Sequence, residues 1–382
     1  MSDSPSKLDW IQAFRGIAVL LVVLTHARYF FLDTPTWPLA EQLMLPGAMG
    51  VDLFFIISGF IMVYTTRDND GSRAYVVNFL VKRFARIWPV YAVATVMWLV
   101  VVHNGLGYFQ YRQLLVNLMK SLLFYPVDVN APLYFGQALP LGWTLNFEIY
   151  FYLIFGASML FARLRWFVLA SWIFLTTILI PVADGTFAFE ALAPKNYNFC
   201  YMHIVTHPIV LEFLMGVLIG KLYLQSWFRV SSPIVALHIM WLSIAIVIWY
   251  AFNGEPHFHG PFQWGALMAC LVLSFALVTK TLPLSPPRYL VYIGTISFSL
   301  YLTHTTVQLI VTRMVDSAGI SSKSWAHIVI TTAISILFAA VCHYLLELKL
   351  APLFKRFLTY VLIYVFRFKE LGGKLSFRGK IA

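Results

Sequence analysis

The feature that most constrains this chain is a succession of apolar runs, each about 18 to 25 residues long. A helix of that length crosses a hydrocarbon core of about 30 Å. Inside lipid a backbone must satisfy its own hydrogen bonds, so runs of this kind read as helices. They fall at roughly 10–32, 48–66, 84–103, 140–162, 166–182, 205–224, 233–252, 262–279, 289–312 and 325–347. The expected fold class is an all-α integral membrane protein of about ten transmembrane helices. The stretch 111–126 is also apolar, but it is short and contains Arg112, Asn117 and Lys120. It reads as an outer interfacial or re-entrant helix. As a span it would raise the count to eleven and move every later loop to the other side.

Composition closes the soluble alternative. Sixty per cent of residues are hydrophobic, 11% are charged and the mean hydropathy is +0.78. A soluble domain carries about 25% charged residues. Aromatic residues near the ends of the runs, among them Trp10, Tyr29, Trp37, Trp88, Trp143, Trp166, Trp227 and Trp325, suit interfacial anchoring.

The net charge of +11 would suggest nucleic acid in a soluble chain. Here it orients the helices, and no nucleic-acid partner is expected. With the N-terminus inside and ten spans, 20 of the 27 basic residues fall on the inner side and six on the outer, and Arg15 stays within the membrane. The positive-inside rule then places both termini in the cytoplasm of a multi-pass protein of the inner (plasma) membrane. Residues 1–350 read as the membrane domain. Residues 351–382 read as a basic cytoplasmic amphipathic tail, in which Phe357, Tyr360, Tyr364 and Phe366 suit contact with an anionic leaflet. The N-terminal run contains Arg15 and no cleavage site follows it, so it does not read as a signal peptide.

Charges within apolar runs are expensive and mark functional candidates. Arg15 and His26 lie eleven residues apart, almost three helical turns, and so share one face of the first span at a separation of about 16 Å. An arginine at the inner mouth suits a phosphate or a polar thioester arm. A neutral imidazole deep in the outer half suits a general base. The competing structural readings are a snorkelling Arg15 and a His26 bonded to a nearby carbonyl. Asp52 stands at the outer end of the second span, close to the depth of His26. It is a candidate to orient that imidazole, with a helix N-cap as its structural alternative. Arg83 and Arg86 share a helix face at the cytoplasmic entry of the third span and suit the phosphates of a nucleotide-bearing carrier. A plain positive-inside anchor is the competing reading. Glu148 is expected to pair with Arg15, Arg86 or His26, or to form a structural ion pair. Glu212, His304, His343 and Glu347 complete the polar set. The cysteines Cys200, Cys270 and Cys342 are scattered, and nothing resembles a zinc site, a phosphate loop or a nucleophile elbow. No metal is expected.

Four segments make the chain recognisable. They are Arg15-Gly16-Ile17-Ala18 with His26; Gly50-Val51-Asp52-Leu53-Phe54-Phe55-Ile56-Ile57-Ser58-Gly59-Phe60; Arg83 to Arg86 with Ile87 and Pro89; and Trp143-Thr144-Leu145-Asn146-Phe147-Glu148 with Phe151 and Tyr152. Ser297-Phe298-Ser299-Leu300-Tyr301-Leu302-Thr303-His304 adds a weaker fifth. Together they resemble the membrane-bound acyltransferase 3 family, especially members that acetylate bacterial exopolysaccharide. The resemblance implies a ten-helix domain taking acyl groups, usually acetyl, from acyl-CoA. It implies His26 as catalytic base, with Arg15, Arg83 and Arg86 on the acyl-CoA. It also implies a surface or lipid-linked glycan as acceptor. One departure is Glu347-Leu348-Lys349, where many relatives place a proline soon after the glutamate; Glu347 is therefore not counted as a site.

The function expected from sequence is thus O-acyl transfer from cytoplasmic acetyl-CoA to a glycan hydroxyl, with His26 oriented by Asp52 or Glu148. Direct attack and a covalent acyl-enzyme both remain open. The rival is a secondary transporter exporting a glycan or small anion, with His26 and Glu148 as a proton relay.

Overall fold

The computed structural model describes residues 8–131, 134–193, 195, 197–254 and 258–364. Among these all regular structure is helical. In chain order the helices are α1 (Asp9–Ala27), α2 (Trp37–Met44), α3 (Gly50–Thr65), α4 (Arg73–Val102), α5 (Arg112–Leu122), α6 (Trp143–Met159), α7 (Arg165–Phe174) and α8 (Ile180–Ala183). They continue with α9 (Met202–Val205), α10 (Val210–Leu224), α11 (Pro233–Asn253), α12 (Trp264–Val278), α13 (Arg288–Thr295), α14 (Ser297–Ser317), α15 (Trp325–Cys342) and α16 (Ala351–Tyr364).

Among the described residues six helical stretches are long and apolar enough to cross a membrane: Asp9–Phe31, Trp37–Thr65, Arg73–Val102, Ala162–Ala183, Pro233–Asn253 and Trp325–Tyr364. Three other expected spans form shorter helices, with 17 residues in α6 and 15 each in α10 and α12. At 1.5 Å per residue these rise about 22 to 26 Å, short of a core of about 30 Å. They lie inside the bundle. Phe147, Phe151 and Phe155 of α6 and Phe213 of α10 are almost fully buried. A helix wrapped in protein need not match the bilayer thickness.

Three boundaries differ from the sequence expectation. The third helix begins at Arg73, eleven residues before position 84, with the Ser72 hydroxyl capping it by accepting the Tyr75 N–H at 3.2 Å. Its 30 residues rise about 45 Å, so its first turns extend beyond a bilayer core. The expected ninth span is broken at Ile296 (φ −88°, ψ 3°) into α13 and α14. Finally, the chain stays helical across 350, through a π-helical stretch His343–Leu350 into α16. There α16 lies on α4, with Phe354 stacked on Trp88 at 5.1 Å. Residues 365–382, including Phe366 and the last basic residues of the expected tail, lie outside the described residues. The apolar stretch near 111–126 forms the 11-residue α5, about 16 Å long and too short to cross.

Close helix contact positions the polar residues. A Cβ on Gly59 would stand 2.2 Å from the Phe213 carbonyl oxygen, and one on Gly216 would stand 2.0 Å from that of Ile56. Only glycine lets α3 and α10 approach this closely, the small-residue packing common in membrane bundles. Gly16 and Gly294 act similarly between α1 and α13, where a Cβ would meet Leu290 or Gln12 backbone at 2.4 and 1.8 Å. Gly294 lies two residues before the break at Ile296, beyond which Ser297 meets Arg15.

Candidate active site

Among the described residues two cavities bear on the site, called inner (toward the Arg15 end of α1) and outer (toward its His26 end). The inner one, about 100 Å³, is lined by Arg15 of α1, Arg83 and Arg86 of α4, Glu148 and Tyr152 of α6, and Ser297 and Tyr301 of α14. The outer one, about 390 Å³, is lined by His26, Arg28, Glu41, Trp143, His259 and Tyr301, among others. Val51 and Tyr301 belong to both walls, so the cavities are back to back. Arg15 and His26 therefore open onto different chambers from one helix.

In the inner cavity Arg15 donates to Ser297 Oγ at 2.9 Å and Gln12 Oε1 at 3.2 Å. The break at Ile296 supplies this anchor, so Arg15 is fixed within the bundle and does not snorkel. Arg83 donates to Thr65 Oγ1 at 3.2 Å, and its guanidinium lies 5.4 Å from the Tyr152 ring. Glu148 accepts from the Tyr152 hydroxyl. Glu347 stands near, accepting from Ser299 Oγ at 2.6 Å and pairing with His343 at 3.1 Å. Among the described residues no carboxylate comes within 4.0 Å of Arg15, Arg83 or Arg86. Three guanidiniums against two carboxylates, Glu148 on the wall and Glu347 near it, leave an excess of positive charge here. Arg86 is exposed and Arg83 partly so, and the excess cationic charge at this opening suits an anion arriving from solvent.

In the outer cavity His26 Nδ1 lies 2.9 Å from the Val22 carbonyl oxygen. A carbonyl oxygen only accepts, so in neutral imidazole the proton sits on Nδ1 and Nε2 keeps its lone pair. The bond anticipated by the structural reading is thus present, and it leaves the second nitrogen for chemistry. His304 packs against it with ring centroids 5.0 Å apart. Its Nδ1 is engaged by the Leu300 and Tyr301 carbonyl oxygens at 3.1 and 2.8 Å. Arg28 closes the outer wall, paired with Glu41 at 2.9 Å and lying 4.2 Å over the Tyr29 ring.

Two expectations need correction. Asp52 does not orient His26. Its fully buried carboxylate accepts from His259 Nδ1 at 2.7 Å and from the Gly260 N–H at 3.4 Å. It is no N-cap either, since α3 begins at Gly50 without a side-chain cap. Glu148 lies in the inner chamber with the arginines and makes no ion pair within 4.0 Å among the described residues, so it too does not orient His26. Rise along a helix gives depth but not the direction in which a neighbouring helix points its side chain. Tyr152, Ser297 and Tyr301 stand within the recognised segments, although their side chains were not singled out. His259 was missed altogether, because a histidine in a loop carries no periodic signal.

In the loop between α8 and α9 Lys195 donates to the Thr206 carbonyl oxygen and to Thr206 Oγ1. Burial pushes its ammonium down to about 8.

Residues 8–344 match the family described as "Acyltransferase domain". The chain is 31% identical over 285 residues to "Exopolysaccharide production protein ExoZ" of Rhizobium meliloti (strain 1021), covering 73% of this chain and 82% of that protein. It is 24% identical over 322 residues to "Acyltransferase MdmB" of Streptomyces mycarofaciens, 79% of each chain. It is 28% identical over 269 residues to "Nodulation protein 10" of Rhizobium leguminosarum bv. viciae, 65% of this chain and 68% of that one. No solved structure matches.

Proposed function

This chain belongs to the acyltransferase 3 family, and from that premise we propose that it transfers an acyl group, acetyl in the first instance, from cytoplasmic acyl-CoA to a hydroxyl of an exopolysaccharide or other surface glycan. That it is a membrane acyltransferase follows from the family and from its apolar helices. The donor reading rests on one observation: three guanidiniums with no carboxylate within 4.0 Å among the described residues line a chamber that backs onto the one holding His26. The glycan acceptor is supported by the exopolysaccharide production protein among the relatives.

In this mechanism the donor phosphates lie on Arg83 and Arg86, and the thioester arm passes Arg15 toward Tyr301. Glu148, tied to Tyr152, offsets part of the cationic charge of this wall. The acyl carbonyl reaches the outer chamber beside His26. The acceptor oxygen bonds to the acyl carbon, the carbon–sulfur bond breaks, and the hydroxyl proton ends on the departing thiolate. His26 Nε2 moves a proton in that exchange.

The test uses purified protein in detergent with acetyl-CoA. Free thiol should appear only when glycan is supplied, and mass spectrometry should find acetyl on the glycan. No release of thiol from acetyl-CoA with any surface glycan of the source cell would instead favour an exporter.

We also propose ten spans with both termini cytoplasmic, in the inner membrane. Cysteine at exposed Lys323 should label from outside, and cysteine at exposed Arg163 only from inside. Lys195, half-buried and bonded to Thr206, is a poor probe. Outside labelling at Arg163 would reverse the orientation.

A further inference from the structure

His259 stands in the loop ahead of α12, with Trp264 and Trp143 rings at 5.2 and 5.6 Å. Only 9% of it is exposed, and it faces the chamber that holds His26. Its Nδ1 meets the fully buried Asp52 carboxylate at 2.7 Å. Behind Asp52 lies the buried carboxyl of Glu212, from α10. A carboxylate oxygen only accepts, so neutral His259 carries its proton on Nδ1 and keeps the Nε2 lone pair. This is the arrangement in which a carboxylate fixes the tautomer of a base and stabilises the imidazolium formed during reaction. His26, by contrast, is held by a neutral carbonyl.

We propose that His259, oriented by Asp52, is a second acid–base residue for the acyl transfer and acts on the acceptor side of the chamber. The proposal rests on the acyltransferase reading above. The two imidazoles then divide the proton traffic. His259 Nε2 takes the acceptor hydroxyl proton as that oxygen bonds to the acyl carbon. The carbon–sulfur bond breaks, the proton passes from His259 through chamber water to the free Nε2 of His26, and His26 hands it to the thiolate. Position assigns the roles: His26 shares its helix with Arg15 of the donor chamber, whereas His259 sits in an outer loop against two indole rings. Indole faces suit the C–H faces of a sugar, as they suit other amphipathic surfaces.

The test is the pH profile of kcat/KM for acetyl transfer to glycan, measured on full-length protein. The groups facing His259 are Asp52, His207, His26, Arg28 and Glu41, with Glu212 behind Asp52. The phenols of Tyr29, Tyr134 and Tyr301 complete the chamber wall. His259→Asn keeps an N–H near the position of Nδ1, and so the Asp52 bond, while removing the base. Acetyl-CoA binding should stay within twofold of wild type. Transfer should fall at least about 10²-fold, and the acid-side limb of the profile should move, because His26 alone is then left to shape it. Transfer within twofold of wild type, or an acid-side limb left in place, overturns the proposal. If His259→Asn fails to fold, Asp52→Asn provides the second arm. It keeps the volume and should lower transfer and move the acid-side limb, and an unmoved limb overturns the proposal equally. Absence of transfer in wild-type protein would count against the acyltransferase reading itself, and so is distinguishable.

Discussion

His26→Ala should leave the amount of folded protein and its acetyl-CoA binding near those of wild type and reduce acyl transfer at least about 10²-fold. That is the low end for losing a general acid–base group. The expectation follows from the geometry of the outer chamber, where Nδ1 is committed to the Val22 carbonyl oxygen and Nε2 keeps its lone pair. The donor arginines line the other chamber, so removing the imidazole should not disturb donor binding. His26→Gln is the sharper variant. Its amide can replace one hydrogen bond but exchanges no proton near neutral pH. Wild-type turnover in the Gln variant would sink the catalytic role of His26 while leaving the family assignment intact. The assay is glycan acetylation in membranes, normalised to folded protein, because loss of protein would mimic loss of chemistry.

Arg86→Lys should weaken acyl-CoA binding about 10- to 100-fold. A hydrogen bond to a charged group contributes about 1.5–3 kcal/mol, and about 1.4 kcal/mol is tenfold in affinity. A guanidinium meets phosphate through a rigid fork, whereas an ammonium is a point charge on a flexible stem. Arg86 is the more informative of the pair. Arg83 already bonds Thr65 and stands by the Phe79 and Tyr152 rings, so its loss would confound packing with binding. The measurement is the acetyl-CoA dissociation constant of purified protein at fixed salt, since phosphate contacts weaken as salt rises. An unchanged constant would reduce the pair to a positive-inside anchor.

The sequence by itself determined the class of the protein. Apolar runs with 11% charge can become only a membrane bundle, because lipid leaves the backbone no partner but itself. Helical rise also determined that Arg15 and His26 occupy one face at different depths, and they do open onto different chambers. What the sequence could not determine was the partner of each buried charge. Asp52 and His26 lie at similar depths, yet the Asp52 carboxylate turns to His259, 207 residues along the chain. Glu148 turns to the arginine chamber and not to the histidine. Arg15 finds Ser297 because a break at Ile296 begins a helix there, and no strong local signal marks that break. Depth and face are properties of a single helix, fixed by a period of 3.6 residues and a rise of about 1.5 Å. Which neighbour a face meets depends on how helices rotate and approach one another. Here that was decided by glycine contacts such as Gly59 with Gly216, between segments more than 150 residues apart. Only the packed tertiary structure contains that information, and it is the packing that brings three arginines from two helices onto one wall and a loop histidine onto a buried aspartate.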